Sequence, residues 1–199
     1  MGAQISMLES MQSVAVYCGS ATGNSPAYTQ AAQELGTELA RRGLNLVYGG
    51  GNIGLMREVA QACLAAGGTV TGVMPQSLVD LEISHPGLTT LEVVGSMAER
   101  KTRMEQLADA YICLPGGVGT LEELTEVLTL QQLGHIRGPV GLVNAADFWR
   151  PFYAMYAAMA ESGFILPRFV DALVMKEKPQ DILDEFNHWS YPGTKWDND

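Results

Sequence analysis

The sequence predicts an α/β protein: a parallel β-sheet with helices on both faces, folded as a single three-layer domain. Three observations carry this prediction. Short apolar runs alternate with longer segments of helical periodicity from one end of the chain to the other. Two of the helical segments stop at a glycine, and the loops after the first, second and fifth apolar runs carry glycines where an α/β sheet holds its ligands. Alternation of this kind gives parallel strands joined by right-handed crossovers, a three-layer α/β/α, Rossmann-like parallel sheet. At 199 residues and 47% hydrophobic content, the chain is long enough to bury roughly 70% of its unfolded surface in one core.

The elements follow in order. Residues 14–18 form a β-branched and aromatic run. Residues 26–42 repeat apolar side chains at helical spacing through Tyr28, Ala31, Leu35 and Leu39, and Gly43 supplies the stop. A second strand over 44–48 leads into a helix over 55–66, again ended by glycine. The third strand, 70–74, is closed by Pro75, and 76–87 reads as a loop with a short helical piece. A fourth strand is expected at 89–94 and a helix with a basic face at 97–108. The fifth strand, 110–114, runs into a glycine-rich turn that opens a helix ending near Gln132. Strand 140–143, helix 148–162, strand 173–175 and helix 179–186 complete the order. Residues 12–187 thus make one domain, with 1–11 and 188–199 expected to be flexible termini. Surplus apolar surface on the helices around 124–133 and 148–159 makes Tyr153, Met155, Tyr156 and Met159 candidates for a subunit interface.

Composition excludes several classes of function. A formal net charge of -10 argues against nonspecific binding to nucleic acid or to an anionic membrane surface, so neither is an expected partner. No apolar run approaches the ~20 residues of a transmembrane helix, and the first residues lack a basic start with an apolar core, so a cytoplasmic protein is expected. Cys18, Cys63 and Cys113 form no CxxC pair and are expected as buried free thiols. His85, His135 and His188 show no HExxH spacing. Neither a metal nor a cofactor is expected.

The chemistry concentrates in the turn Pro115-Gly116-Gly117-Val118-Gly119-Thr120-Leu121-Glu122-Glu123. A strand, a glycine turn and a helix start leave backbone N–H groups unpaired at a partly positive terminus, which suits a phosphate. A carboxylate just inside that helix does not suit one. The pairing points to a site that holds phosphate on one side and does carboxylate chemistry on the other. Gly49, Gly51 and Gly54 match G-x-G-x-x-G, but the third strand ends in Met74-Pro75-Gln76, without the acidic residue that would hold a dinucleotide ribose. A mononucleotide or sugar phosphate fits better. By spacing alone, Thr120 and Glu123 read as a capping box, with Glu123 reaching back to the Thr120 backbone.

These residues resemble the PGGxGTxxE signature of the LONELY GUY (LOG) family, the cytokinin riboside 5'-monophosphate phosphoribohydrolases, whose members were often labelled lysine decarboxylases. The likeness extends to Tyr17-Cys18-Gly19-Ser20, Val47-Tyr48-Gly49-Gly50-Gly51, Gly54-Leu55-Met56, Glu99-Arg100-Lys101 and Pro139-Val140-Gly141-Leu142. Arg57 departs from it, standing where relatives often carry a smaller residue. The resemblance implies hydrolysis of the N-glycosidic bond of an N6-modified adenosine 5'-monophosphate, releasing the cytokinin base and ribose 5-phosphate. It implies Arg100 and Glu123 as catalytic residues. As substrate-binding residues it implies Ser20, Gly50, Gly51, Glu82, Arg100, Lys101, the run Gly116, Gly117, Val118, Gly119, Thr120, Leu121, Glu122 and Glu123, and Thr129. Arg103 is left as structural, and Met56, Met74, Met97 and Met104 as core or pocket lining. A homodimer with sites at the subunit boundary is likewise implied.

Two rival classes stay open on the residues alone. A nucleotide carrier or sensor would use the same glycine loops without catalysis. A pyridoxal-phosphate lysine decarboxylase would need a buried Schiff-base lysine. The chain has only Lys101, Lys176, Lys178 and Lys195, and all but Lys101 lie far along the sequence from the glycine loops.

Overall fold

The computed structural model describes residues 11–81 and 84–197. Seven strands, β1 (Ser13–Tyr17), β2 (Asn45–Tyr48), β3 (Val70–Pro75), β4 (Thr90–Val94), β5 (Ala110–Cys113), β6 (Val140–Val143) and β7 (Val174–Lys176), form one sheet in the order β4-β3-β2-β1-β5-β6-β7. Every pairing is parallel, with Val14 opposite Ala110 and Tyr17 opposite Cys113 at the centre. The helices are α1 (Pro26–Arg41), α2 (Gly54–Ala65), α3 (Gln76–Val79), α4 (Met97–Leu107), α5 (Val118–Leu133), α6 (Arg150–Glu161), α7 (Pro167–Asp171) and α8 (Pro179–Phe186). The three-layer α/β architecture read from the sequence is the one observed. None of the helices among the described residues is long and apolar enough to cross a membrane.

Strand periodicity splits the core in two. Val14 and Val16 of β1 face Leu35, Leu39, Val59 and Phe186 of α1, α2 and α8, while Ala15 and Tyr17 face Leu124 and Leu128 of α5, Phe169 of α7 and Trp149, the residue that precedes α6. Both faces are covered, so the central strands are buried throughout. The strand order reverses between β1 and β5, and the loops leaving these neighbours turn to opposite faces. A crevice opens there at the carboxyl ends of the strands, the usual ligand position in such sheets.

Three local features differ from the expectation. Helix α7 falls between the helix expected at 148–162 and the strand expected at 173–175, where the sequence assigns no element, because five residues give no periodicity to detect. The helix expected at 148–162 starts at Arg150, after a 3₁₀ turn at Ala145–Asp147 in which Ala146 and Asp147 have φ of 50° and 58°. Buried Asn144 holds that turn, donating to Asp147 Oδ1 at 3.1 Å and accepting from the Trp149 amide at 2.8 Å. Finally, the described part of the C-terminal segment lies against the domain. Tyr191 donates to the Gln131 carbonyl at 3.1 Å, the Lys195 amide to the Gln132 carbonyl at 2.8 Å, and Arg168 to the Thr194 carbonyl at 2.8 Å.

The apolar face of α6 is occupied. Tyr156 is buried, stacked on Phe152 and accepting from Gln132 Nε2 at 3.2 Å, while Tyr153 and Met159 pack against the core. Of the four side chains named as interface candidates, Met155 alone is exposed. Phe148 and Trp149 ahead of the helix and Phe152 and Tyr156 within it make a continuous series of ring contacts.

Candidate active site

Three loops meet at the crevice and are tied by backbone hydrogen bonds. The Gly19 amide donates to the Pro115 carbonyl at 3.1 Å, and the Leu55 amide to the Gly19 carbonyl at 3.0 Å. They border a cleft of about 500 Å³, whose wall includes Cys18, Ser20, Gly49, Arg100, Lys101, Gly117, Val118, Gly119, Thr120, Glu122 and Glu123. Met56, Met97 and Met104 add an apolar side, whereas Met74 belongs to the buried interior of β3.

Helix α5 begins at this cleft with Gly117 as its N-cap and no side-chain cap. Its first intrahelical bond runs from the Leu121 amide to the Gly117 carbonyl at 3.1 Å, so the amides of Val118, Gly119 and Thr120 have no helical partner. No acidic residue stands in the first turn. This terminus is open to an anion. Gly116 permits the tight turn: a Cβ there would lie 2.2 Å from Thr120 Oγ1 and 2.8 Å from the Gly19 amide.

The capping-box reading of Thr120 and Glu123 is overturned. Thr120 is the third helical residue and buried, and Gly117 is the cap. Glu123, one turn inside, points across the cleft to Arg100, with 3.8 Å between Oε1 and Nη1. Burial raises the Glu123 pKa to about 7, with Arg100 opposing from a distance too long for a strong ion pair. This carboxyl is poised near neutrality.

Arg100 is held from two directions. Helix α4 is capped by Ser96, whose Oγ accepts from the Glu99 amide at 3.1 Å, while Glu99 accepts from the Gly95 amide at 2.7 Å. The next residue, Arg100, is 9% exposed and donates from Nε to the Val73 carbonyl at 3.1 Å. Its guanidinium occupies the space beside Gly49, where a Cβ would come within 1.5 Å of Nη2. The first glycine of the G-x-G-x-x-G match therefore makes room for an arginine. No spacing rule reveals this contact, since 51 residues separate the two.

The remaining expected residues divide. Ser20 and the run from Gly117 to Thr120, with Glu122 and Glu123, border the cleft. Gly116 and Ser20 border a smaller pocket of about 280 Å³ beside Tyr28 and Phe148. Leu121 lies outside the cleft wall. Gly50 and Gly51 do too: Gly50 accepts from the His85 amide at 2.9 Å, and Gly51 bridges to Ser84. Thr129 is exposed, donates to the Thr125 carbonyl at 2.7 Å and does not reach the cleft of its own chain. Glu82 lies outside the described residues. Arg103 pairs with Glu92 at 2.6 Å, away from the cleft. Lys101 is at the rim, its ammonium paired with Glu122 and, at 2.7 Å, with Glu126. Glu126 was not singled out from the sequence; its i,i+4 relation to Glu122 opposite a lysine-bearing helix is the signal that could have found it.

No group of three metal-ligating side chains occurs among the described residues. The Schiff-base alternative finds no lysine of the right character. The carboxylates around Lys101 raise its pKa, which keeps the amine protonated rather than nucleophilic, and Lys176 pairs with Glu185 at 3.1 Å.

Residues 56–186 match the family described as "Possible lysine decarboxylase". The chain is 49% identical over 152 residues to cytokinin riboside 5'-monophosphate phosphoribohydrolase LOG of Oryza sativa subsp. japonica, covering 76% of this chain and 63% of that one. It is 46% identical over 157 residues to the cytokinin riboside 5'-monophosphate phosphoribohydrolase of Rhodococcoides fascians, covering 78% and 79%. Among solved structures, the molybdenum cofactor binding protein from Rippkaea orientalis superposes with a TM-score of 0.68 at 20% identity, covering 89% of this chain and 96% of that one. That likeness is one of fold. With the signature turn at the mouth of α5 and nearly half of its aligned residues shared with the rice protein, the chain belongs to the LOG family, the cytokinin riboside 5'-monophosphate phosphoribohydrolases.

Proposed function

We propose that this protein hydrolyses the N-glycosidic bond of N6-modified adenosine 5'-monophosphates, giving the free cytokinin base and ribose 5-phosphate. The observation that carries the reading is a buried acid, Glu123, one helical turn from three unpaired amides in the same cleft. The amides of Val118, Gly119 and Thr120, with the Ser20 hydroxyl, take the 5'-phosphate. The ribose then lies over Glu123. As the bond from C1' to the base nitrogen breaks, its electron pair leaves with the base and positive charge grows on the sugar. The Glu123 carboxylate stabilises that charge and accepts a proton from the attacking water, whose oxygen bonds to C1'; the same proton then passes to the departing base nitrogen, which leaves as a neutral N–H base, and the carboxylate is regenerated. Arg100 holds the nucleotide against the acid with its planar fork.

The remaining assignments rest on the family. Glu82 contacts the nucleotide, and the protein is a cytoplasmic homodimer. Thr129 serves a neighbouring site, in keeping with its exposure and its distance from the cleft of its own chain. Exposed Met97, Val118 and Leu121 beside the cleft supply apolar surface for such a contact.

The test is chromatography of an N6-isopentenyl-AMP digest. Free base and ribose 5-phosphate should appear with wild-type protein and fall by roughly 10²–10⁴-fold with Glu123→Gln. Unaltered nucleotide, bound but intact, would make the protein a carrier. Wild-type turnover by the variant would remove Glu123 from the chemistry.

A further inference from the structure

Helix α4 presents two consecutive cations to three carboxylates of α5. Arg100 lies 3.8 Å from Glu123, and Lys101 bridges Glu122 and Glu126, the latter at 2.7 Å. Glu122 and Glu126 are one turn apart on α5, so a single ammonium spans both, while the Glu123 side chain lines the cleft and faces Arg100. The Lys101 side chain is 17% exposed although its charge stands at the cleft rim. A cation committed to two carboxylates is not a spare phosphate ligand.

The surroundings sharpen this. Glu105, four residues after Lys101 on α4, faces the same group and is pushed up to about 7 by burial, then by Glu126, with Lys101 opposing. Around Glu123 stand Glu122 and Glu126 of α5, and Arg100 and Lys101 of α4. Tyr17 and Cys18 at the end of β1 and Cys113 of β5 are neutral there, since burial raises the pKa of each. Two cations thus answer four carboxylates, of which Glu122 and Glu123 border the cleft that must admit a phosphate.

We propose that Lys101 is a positioning residue: clamping Glu122 and Glu126 to the flank of α5, it leaves Glu123 as the carboxylate turned to the ribose and cancels a negative field that would repel the nucleotide. The inference rests on the proposed hydrolysis and assigns Glu126 a part in it.

Its test is the pH profile of kcat/KM for N6-isopentenyl-AMP with wild-type protein, Lys101→Met, Lys101→Arg and the double variant Lys101→Met/Glu126→Gln. Glu123 acts as a carboxylate, so kcat/KM climbs as it ionises. Removing the Lys101 charge uncovers Glu122 and Glu126, raises the pKa of Glu123 and moves the acid limb upward by roughly 0.5–1 pH unit. At pH 6 the Lys101→Met variant should be roughly three- to tenfold slower than wild type. At pH 8.5 the two should converge to within about twofold. Lys101→Arg, which keeps the charge, leaves the acid limb at its wild-type pH whatever its absolute rate, and the double variant moves the limb back. A loss uniform across pH, with raised KM and no rescue by Glu126→Gln, would make Lys101 a direct phosphate ligand and overturn the proposal while leaving the hydrolase reading intact. A Lys101→Met profile identical to wild type overturns it equally. Absence of cleavage by wild-type protein at every pH overturns both readings together.

Discussion

Glu123 is buried where an ionised carboxylate is uncomfortable, and its discomfort has a measurable sign. Burial lifts its folded pKa to about 7 from the ordinary glutamate value of 4.5. Below pH 4.5 the group is protonated in both states and costs nothing. Between those values the unfolded chain ionises while the folded one does not, so stability declines as pH rises through 7 and then levels. Glutamine keeps the shape without the charge. Glu123→Gln should therefore be more stable than wild type at pH 8 by about 1–3 kcal/mol, with the gap closing toward pH 4.5. Glu105, raised to about 7 by its own burial, is common to both proteins and drops out of the difference. Denaturant titration at the two pH values checks this, and a variant less stable at pH 8 contradicts the burial argument. An activity loss accompanied by a stability gain would mark the residue as held in place for chemistry.

At the scale of elements, α5 starts without a side-chain cap, and the space at Gly117 is open: a Cβ there meets nothing within 4 Å. Gly117→Asp would cap the helix and place a negative charge on its dipole, adding a few tenths of a kcal/mol. The same carboxylate would occupy the anion position, so KM for the nucleotide should rise by roughly tenfold or more. A melting curve and steady-state kinetics on one sample separate the two effects; a higher Tm with unchanged KM would move the phosphate elsewhere. This helix also shows where the sequence was legible. Residue patterns located the seven strands and the long helices, because β-branched runs and 3.6-residue periodicity are local properties; Gly43, with φ of 70°, ends α1 where its position suggested. Local reading erred at the first turn of α5, where Thr120 looked like the cap while Gly117 supplies it. The Gly49–Arg100 contact arises only when distant segments meet, so no spacing contained it, whereas the i,i+4 pair Glu122 and Glu126 was visible but its lysine partner was not.

For the whole molecule, the proposed homodimer is the open quantity. Light scattering should return about twice the 21.4 kDa chain mass. A monomer that still hydrolyses nucleotide would remove Thr129 from the reaction and leave the apolar rim at Val118 and Leu121 without a partner. The described tail adds a second whole-chain property. Tyr191 and Lys195 fasten to the carbonyls of Gln131 and Gln132, in the last turn of the helix that bears Glu123. Fluorophores or linkers attached to the 191–195 segment would therefore pull on the rear of the helix that bears Glu123, and a reporter meant to leave that helix undisturbed belongs on an exposed side chain such as that of Glu161.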